Sequence, residues 1–538
     1  MKTKLSILLL VLSGHLSGQV IRSNTTKISI RDHTELKKDY WTIVPAVRPD
    51  IYETVSSEVP HNVTFITDID SISFDVALNQ KFSFVILLNG KDSAFTQIAG
   101  VKQLSTGFVF APPTPFTSSQ IKQLSKLPVP FNRVQATPPG QKPDDADLAA
   151  FGNAVGNAQL IALGESTHGT SEFFRLKHRA LEYAVRQLHV RVFALEDNQL
   201  NVERVNNYVL YGKGNLPKIM RGLFGVWVRQ EVLDMIEWVR QYNLAHPQAK
   251  VEFVGFDMQS PVLAFDSLHV FLSQKSAQLN TQIQGLLSDY KKGFPNAFAA
   301  GDPDKLQWYN NTQKALDIVR AEKAGWLREA RNKADSVSAE WALQNATVIM
   351  QSARSILTGQ MKLYRDSAMA ENIKWILSMR KPGTRMLIWA HDFHISRDDH
   401  PVAADNYYNG ISMGSWLSKW YGNQYKAFGL ETYAGEFTAM KTYTDFDLVN
   451  CPLVNAPAGT LDEALHQIAV KKRSPYLFLN LAPVRSDPKK FKWLCGPTYV
   501  RFANHVCEGN SYGLKHAIPF QFDGIFFIDQ TTGSLLIR

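Results

Sequence analysis

From about residue 140 onward, short apolar runs alternate with amphipathic stretches of helical period, and this alternation constrains the fold more than any other property of the chain. Strands are predicted at 158–164, 191–196, 251–256, 385–391, 425–430, 476–481 and 524–529. Between them lie helices such as Phe173 to Leu188 and Val228 to Asn243. This order predicts an α/β fold, with a mostly parallel sheet flanked by helices on both faces. Residues 261–380 break the pattern: they lack comparable strands, are rich in helix formers such as Ser336 to Leu363, and read as a helical insertion. Insertions between the strands of such a core often form a lid over the strand ends.

The first 139 residues read differently. Lys2 and Lys4 precede the apolar run Leu5 to Leu12, which is too short to span a bilayer, and the small residues near Leu16-Ser17-Gly18 offer a cleavage point. Residues 1–18 are therefore expected to be a secretory signal peptide, with the mature chain exported and starting near Gln19. Residues 27–112 alternate and carry β-branched and aromatic side chains, as in Ser71-Ile72-Ser73-Phe74-Asp75-Val76. With Asn89-Gly90 as a hairpin signal, they predict a small β domain whose partner the sequence leaves open. A Pro-rich linker at 113–139 leads to the main domain at 140–538. No later segment is long and apolar enough for a membrane helix.

At 538 residues, 45% hydrophobic and 20% charged, the chain is globular and too long for one ordinary core. The net charge of +9 is scattered, with no basic block of the kind that grips a phosphate backbone, so nucleic acid is not an expected partner. The three cysteines, Cys451, Cys495 and Cys507, form no disulfide framework and contain no C-x-x-C pair. Proximity in sequence favours a bridge between Cys495 and Cys507, leaving Cys451 unpaired.

Four predicted strands end in titratable side chains: Glu165 and His168, Glu196 and Asp197, Asp257, and His391 with His394. The carboxyl ends of strands in an open α/β sheet are where ligands bind. Taken singly, each of these residues is as readily a helix cap or a satisfied buried group. Glu165-x-x-His168 and His391-x-x-His394 admit two chemistries. In one, His168 is a general base whose tautomer a carboxylate fixes, and another imidazole stabilises an oxyanion. In the other, Glu165, His168 and His391 ligate a divalent metal. Lys177, two to three helical turns beyond His168, is expected to contact a carboxylate, whereas His178 faces either the site or the surface of its helix. Gly410-Ile411-Ser412-Met413-Gly414 matches the G-x-S-x-G nucleophile elbow, with Asp447 and His466 following in order. The residues before it make a poor strand, so it reads as a turn into a helix from Ser415 to Tyr421. Ser166 and Thr167 read as helix-capping hydroxyls.

Gly164-Glu165-Ser166-Thr167-His168-Gly169, Glu172 to His178, Ala194-Leu195-Glu196, Trp238 to Asn243, Gly255-Phe256-Asp257 and Trp389 to His394 together resemble the erythromycin esterase family. So do Met413-Gly414, Gly429-Leu430-Glu431-Thr432 and Phe522 to Phe527, and the likeness covers about 140–538. It implies an enzyme that hydrolyses an ester or macrolactone, with His168 as the base and Glu165, Glu196, His391 and His394 shaping the site. Lys177 and Asp257 support it. Two positions depart: Lys177 stands where some members have Arg, and Asp392 where Asn is common, adding negative charge beside His391. Relatives on the wider fold include metalloproteases and haem-binding proteins, so metal-dependent hydrolysis or peptidase activity, and haem or ligand binding at a surface, stand as alternatives.

Overall fold

The computed structural model describes residues 115–537 apart from 139, 359–360, 398–411, 443–446, 497, 503–505 and 508–510. For 361–363, 502 and 511–516 it describes the backbone alone, as it does for seven strands between Ile7 and Leu87. Those seven strands form two antiparallel sheets. Ser83–Leu87 lies between Ile7–Val11 and Thr42–Pro45, and Thr25–Arg31 and Ser71–Ala77 are the inner strands of the other sheet. The expected cleavage region near Leu16 and the Asn89-Gly90 turn lie outside the described residues.

The main domain is built on a nine-stranded sheet. In chain order its strands are β1 (Val129–Pro130), β2 (Leu160–Leu163), β3 (Val192–Asn198), β4 (Glu252–Asp257) and β5 (Met386–Trp389). The long β6 (Tyr425–Met440), β7 (Leu448–Leu453), β8 (Tyr476–Asn480) and β9 (Gly524–Thr531) complete it. The spatial order is β4-β3-β5-β2-β6-β9-β8-β1, with β7 paired to the far half of β6. The six strands from β4 to β9 run parallel, and β8 is antiparallel to β9.

Alternation along each strand divides the core into two layers. Ile161, Leu163, Phe193, Leu195 and Leu387 face the helices α1 (Ser171–Gln187), α2 (Gln199–Tyr211) and α3 (Gln230–Ala245). Leu160, Ala162, Val192, Ala194 and Ile388 face the opposite layer. Between β4 and β5 come five helices: α4 (Val262–Lys275), α5 (Ala277–Gly293), α6 (Asp302–Glu329), α7 (Lys333–Thr358) and α8 (Met361–Ser378). They enclose an apolar core of their own around Leu268, Leu287, Trp308, Leu316 and Ile349.

The cysteine pairing differs from the expectation. Cys451 on β7 is bonded to Cys507, and Cys495 is free. Met440, at the end of β6, bridges Val506 and accepts the Cys507 amide, which brings Cys507 against β7 across 56 residues of sequence. Among the described residues no helix is long and apolar enough to cross a membrane.

Candidate active site

Register places the titratable residues together. Leu163 is level with Trp389, Trp389 with Leu195, and Leu195 with Gly255, so Glu165, His391, Glu196 and Asp257 emerge from four neighbouring strand ends. The chain leaves β2 toward the α1 layer, whereas Ile395, Met413 and Leu417 after β5 join the opposite layer. Such a divergence between adjacent strands opens a crevice at their carboxyl ends.

Glu165 lies among these strand ends and is fully buried. Its Oε1 is 2.7 Å from His168 Nδ1, while Oε2 accepts from Lys177 Nζ at 2.6 Å and from Trp389 Nε1 at 2.9 Å. The bond at Nδ1 leaves Nε2 of His168 directed away from the carboxylate, and the side chain keeps 15% exposure. Its ring stands 4.9 Å from the His391 ring and meets Trp227 edge-on. His391 caps the short helix Asp392–Ile395, its Nδ1 accepting the Phe393 amide, so its ring proton resides on Nε2. Burial lowers Lys177 to about 8, with the Glu165 carboxylate opposing that shift.

A second group adjoins the first. Glu196 Oε2 accepts the His391 amide at 2.9 Å, and its Oε1 faces Arg365 at 2.7 Å and His394 Nε2 at 3.3 Å. Although burial disfavours its charge, His394 and Arg365 hold the Glu196 carboxyl well below the usual range. Asp257 receives the Arg365 guanidinium on both oxygens. His394 Nδ1 is 2.8 Å from Asp366 Oδ1. Burial alone would lower its imidazolium, but Asp366 and Glu196 outweigh burial and bring it to about 10.

The sequence reading missed Arg365, Asp366, Trp227 and the hydrogen-bonding role of Trp389. Arg365 and Asp366 sit on α8, where neither apolar periodicity nor a motif distinguishes them from other charged helix positions. Other expectations are corrected. Ser166 and Thr167 do not cap α1, whose N-cap is Thr170; the Thr167 hydroxyl bonds to that of Thr170. His178 does not reach the site but is buried against Trp238. Asp392 is surrounded by low-dielectric material and the Glu165 charge, which raise its carboxyl well above the ordinary range against Lys177. Burial and the Glu165 charge thus oppose the ionised form of Asp392. Ser412 is buried as the N-cap of the helix Met413–Tyr421, donating to the Ser396 carbonyl, and His466 is paired with Asp529. A cap hydroxyl turned into its own helix is not presented as a nucleophile.

The donor set does not fit the metal reading. Both oxygens of Glu165 already receive N–H donors, one from an ammonium, and a cation there would meet Lys177 across the same carboxylate. Among the described residues no group of three or more His, Cys, Asp or Glu is arranged to hold a metal ion. A cleft of about 570 Å³ opens at the amino ends of β3 and β4, lined by Arg186, Arg191, Trp238 and Tyr242 among others. It contains no carboxylate, so the carboxyl ends of the strands remain the place where acid–base groups converge.

The turn after β2 is fastened from outside. A Cβ on Gly169 would overlap the backbone of Thr438 on β6. The Gly169 carbonyl accepts amides from both Thr438, at 2.9 Å, and Ser534, at 2.8 Å. Ser171 N donates to the Thr532 carbonyl, Glu172 accepts from Thr532, and Glu231 accepts from Leu535.

A family model for erythromycin esterase matches residues 185–531, a span that includes Glu196, Asp257, Arg365, His391 and His394. Erythromycin esterase type II of Escherichia coli is 23% identical over 421 residues, covering 73% of this chain and 95% of that protein. A putative hydrolase, YbfO, of Bacillus subtilis is 22% identical over 416 residues, covering 73% and 88%. Among solved structures, a Bacillus cereus protein superposes with a TM-score of 0.66 at 23% identity, covering 79% of this chain and all of that one. A mutant of erythromycin esterase EreC in its open conformation does so with 0.55 at 15%, covering 73% and 96%.

Proposed function

The chain belongs to the erythromycin esterase family, and from that premise we propose that it is an exported hydrolase that cleaves a carboxylic ester or macrolactone with water activated by His168. The observation that carries this reading is the Glu165–His168 pair at 2.7 Å, placed at the crevice with the His391 ring 4.9 Å away. Glu165 holds the proton on Nδ1, so Nε2 presents its lone pair. Nε2 takes a proton from water, and the water oxygen bonds to the ester carbonyl carbon. The oxygen of the tetrahedral intermediate gains negative charge, which the Nε2–H of His391 is placed to stabilise. As the carbon–alkoxide bond breaks, the imidazolium of His168 returns its proton to the leaving oxygen, giving an acid and an alcohol. Lys177 supplies the counter-charge to Glu165 throughout.

The test is hydrolysis of a panel of aryl esters and macrolactones by the mature chain, beginning near Gln19, and by His168→Ala. Turnover is expected to fall by about 10² or more with folding intact. Single turnover in ¹⁸O-water should place the label in the acid product. An acyl adduct on the enzyme, or unchanged turnover in His168→Ala, overturns the mechanism.

A further inference from the structure

We infer that Arg365 and Asp366, neighbours on the insertion helix α8, are positioning residues that fix Glu196 and His394 in the site. The insertion then supplies part of the catalytic framework. For turnover this rests on the hydrolase reading; for the state of His394 it does not.

Arg365 spans two strand ends. Its Nε and one terminal nitrogen lie within 2.7 to 3.2 Å of the Asp257 oxygens, and the same terminal nitrogen reaches Glu196 at 2.7 Å. The planar fork therefore ties β3 to β4 at the level of the crevice, a geometry that a point-charge ammonium does not reproduce. Glu196 is thereby held from two sides, by the His391 amide and by α8. Asp366 complements this from the next position on the helix, where one of its oxygens meets both His394 Nδ1 and the Met413 amide, each at 2.8 Å.

His394 thus has a carboxylate oxygen opposite each ring nitrogen, Asp366 at Nδ1 and Glu196 at Nε2. Arg365 also lies 3.2 Å from Nε2, so that nitrogen stands between a donor and an acceptor, while Asp366 at Nδ1 favours the charged ring. The charged groups around the ring are Asp366 and Arg365 from α8, Glu196 from β3, and Asp257 from β4 behind Arg365. His391 lies one turn back on its own segment. Asp366, Asp257, Glu196 and His394 are all buried. A buried ion cluster that merely docked the insertion would change stability when altered and leave the rate unmoved.

The experiment uses the full chain. Asp366→Asn keeps an acceptor for the Met413 amide while removing the charge, and Asp366→Glu restores the charge. In ¹⁵N-histidine NMR spectra, with His394 assigned through His394→Gln, the parent ring should stay doubly protonated well above neutral pH. Asp366→Asn should titrate at least one pH unit lower, and Asp366→Glu should recover most of that difference. With an ester substrate, kcat in Asp366→Asn and Arg365→Lys should fall on the order of 10- to 100-fold, with KM changed little. Equal His394 titration in the parent and Asp366→Asn overturns the inference, as does an unchanged kcat in both variants of an active parent. A parent without ester turnover refutes the hydrolase reading, and the titration still decides the role of Asp366. Should Asp366→Asn fail to fold, a kcat of Arg365→Lys within twofold of the parent overturns the inference, and a reduced kcat at unchanged KM supports it.

Discussion

The two histidine groups at the strand ends are assembled in opposite ways. Glu165 and His168 lie three residues apart on one turn, and their pairing needs little more than β2 ending where it does. Glu196, His394, Asp366 and Arg365 come from β3, from the segment after β5 and from α8, with Glu196 and Arg365 meeting across 169 residues of sequence. The outcome differs accordingly. His168 has one nitrogen held and the other free of the carboxylate, as a base requires. His394 faces carboxylates at both nitrogens, which favour its charged form, with Arg365 beside one of them. Residue type does not separate these two settings; the number of ring nitrogens that carboxylates enclose does.

The largest expected effect tests the local pair. Glu165→Gln turns an amide toward either His168 or Lys177 and leaves the ammonium without a counter-charge, so kcat should fall by about 10². Turnover close to the parent would show that the pair does not act as a unit. The pH profile sharpens the contrast next. Lys177 is charged below about 8 and neutral above it, so the rate should decline on the alkaline side as Glu165 loses its partner. Lys177→Arg, which keeps its charge, should remove that decline. A decline that persists in Lys177→Arg assigns it to another group.

Two buried histidines with opposite shifts provide a smaller, structural test. Burial lowers His178 to about 3, below its unfolded value near 6.5, so the unfolded chain binds the extra proton. Its contribution to stability is present above pH 6.5 and is lost as pH falls toward 3. His394, raised to about 10, contributes fully below 6.5 and loses that contribution as pH rises toward 10. Thermal midpoints across pH should flatten on the acid side in His178→Leu and on the alkaline side in His394→Gln. Parallel curves for the two variants would contradict the opposed shifts. The smallest effect is expected at Ser412→Ala, where losing an N-cap hydroxyl should cost about 1 kcal/mol of stability. Turnover should stay within about twofold, and its abolition would restore the nucleophile reading.

The legible parts of the molecule are those whose causes are local. Leu160 to Leu163 is buried on both faces and therefore reads as an apolar run, and the polar residue that follows it is the one at the strand end. The same logic locates Glu196, Asp257 and His391. Arg365 and Asp366 escape it because helical periodicity reveals which face is buried, not which strand end that face meets. The disulfide escapes for a related reason. Only 12 positions separate Cys495 from Cys507, yet the hairpin of β6 and β7 carries Cys451 to Cys507 instead. Sequence proximity ranks loop closures and does not know where a strand will deliver its end.

The turn that bears His168 is closed by the Thr438 and Ser534 amides and by the Thr532 contact with Glu172, made across 360 residues. During synthesis the ribosome makes this turn well before the segment that clamps it. A chain truncated before Thr532 carries the Glu165–His168 turn without the bonds from residues 532–535, so the turn is held less firmly there.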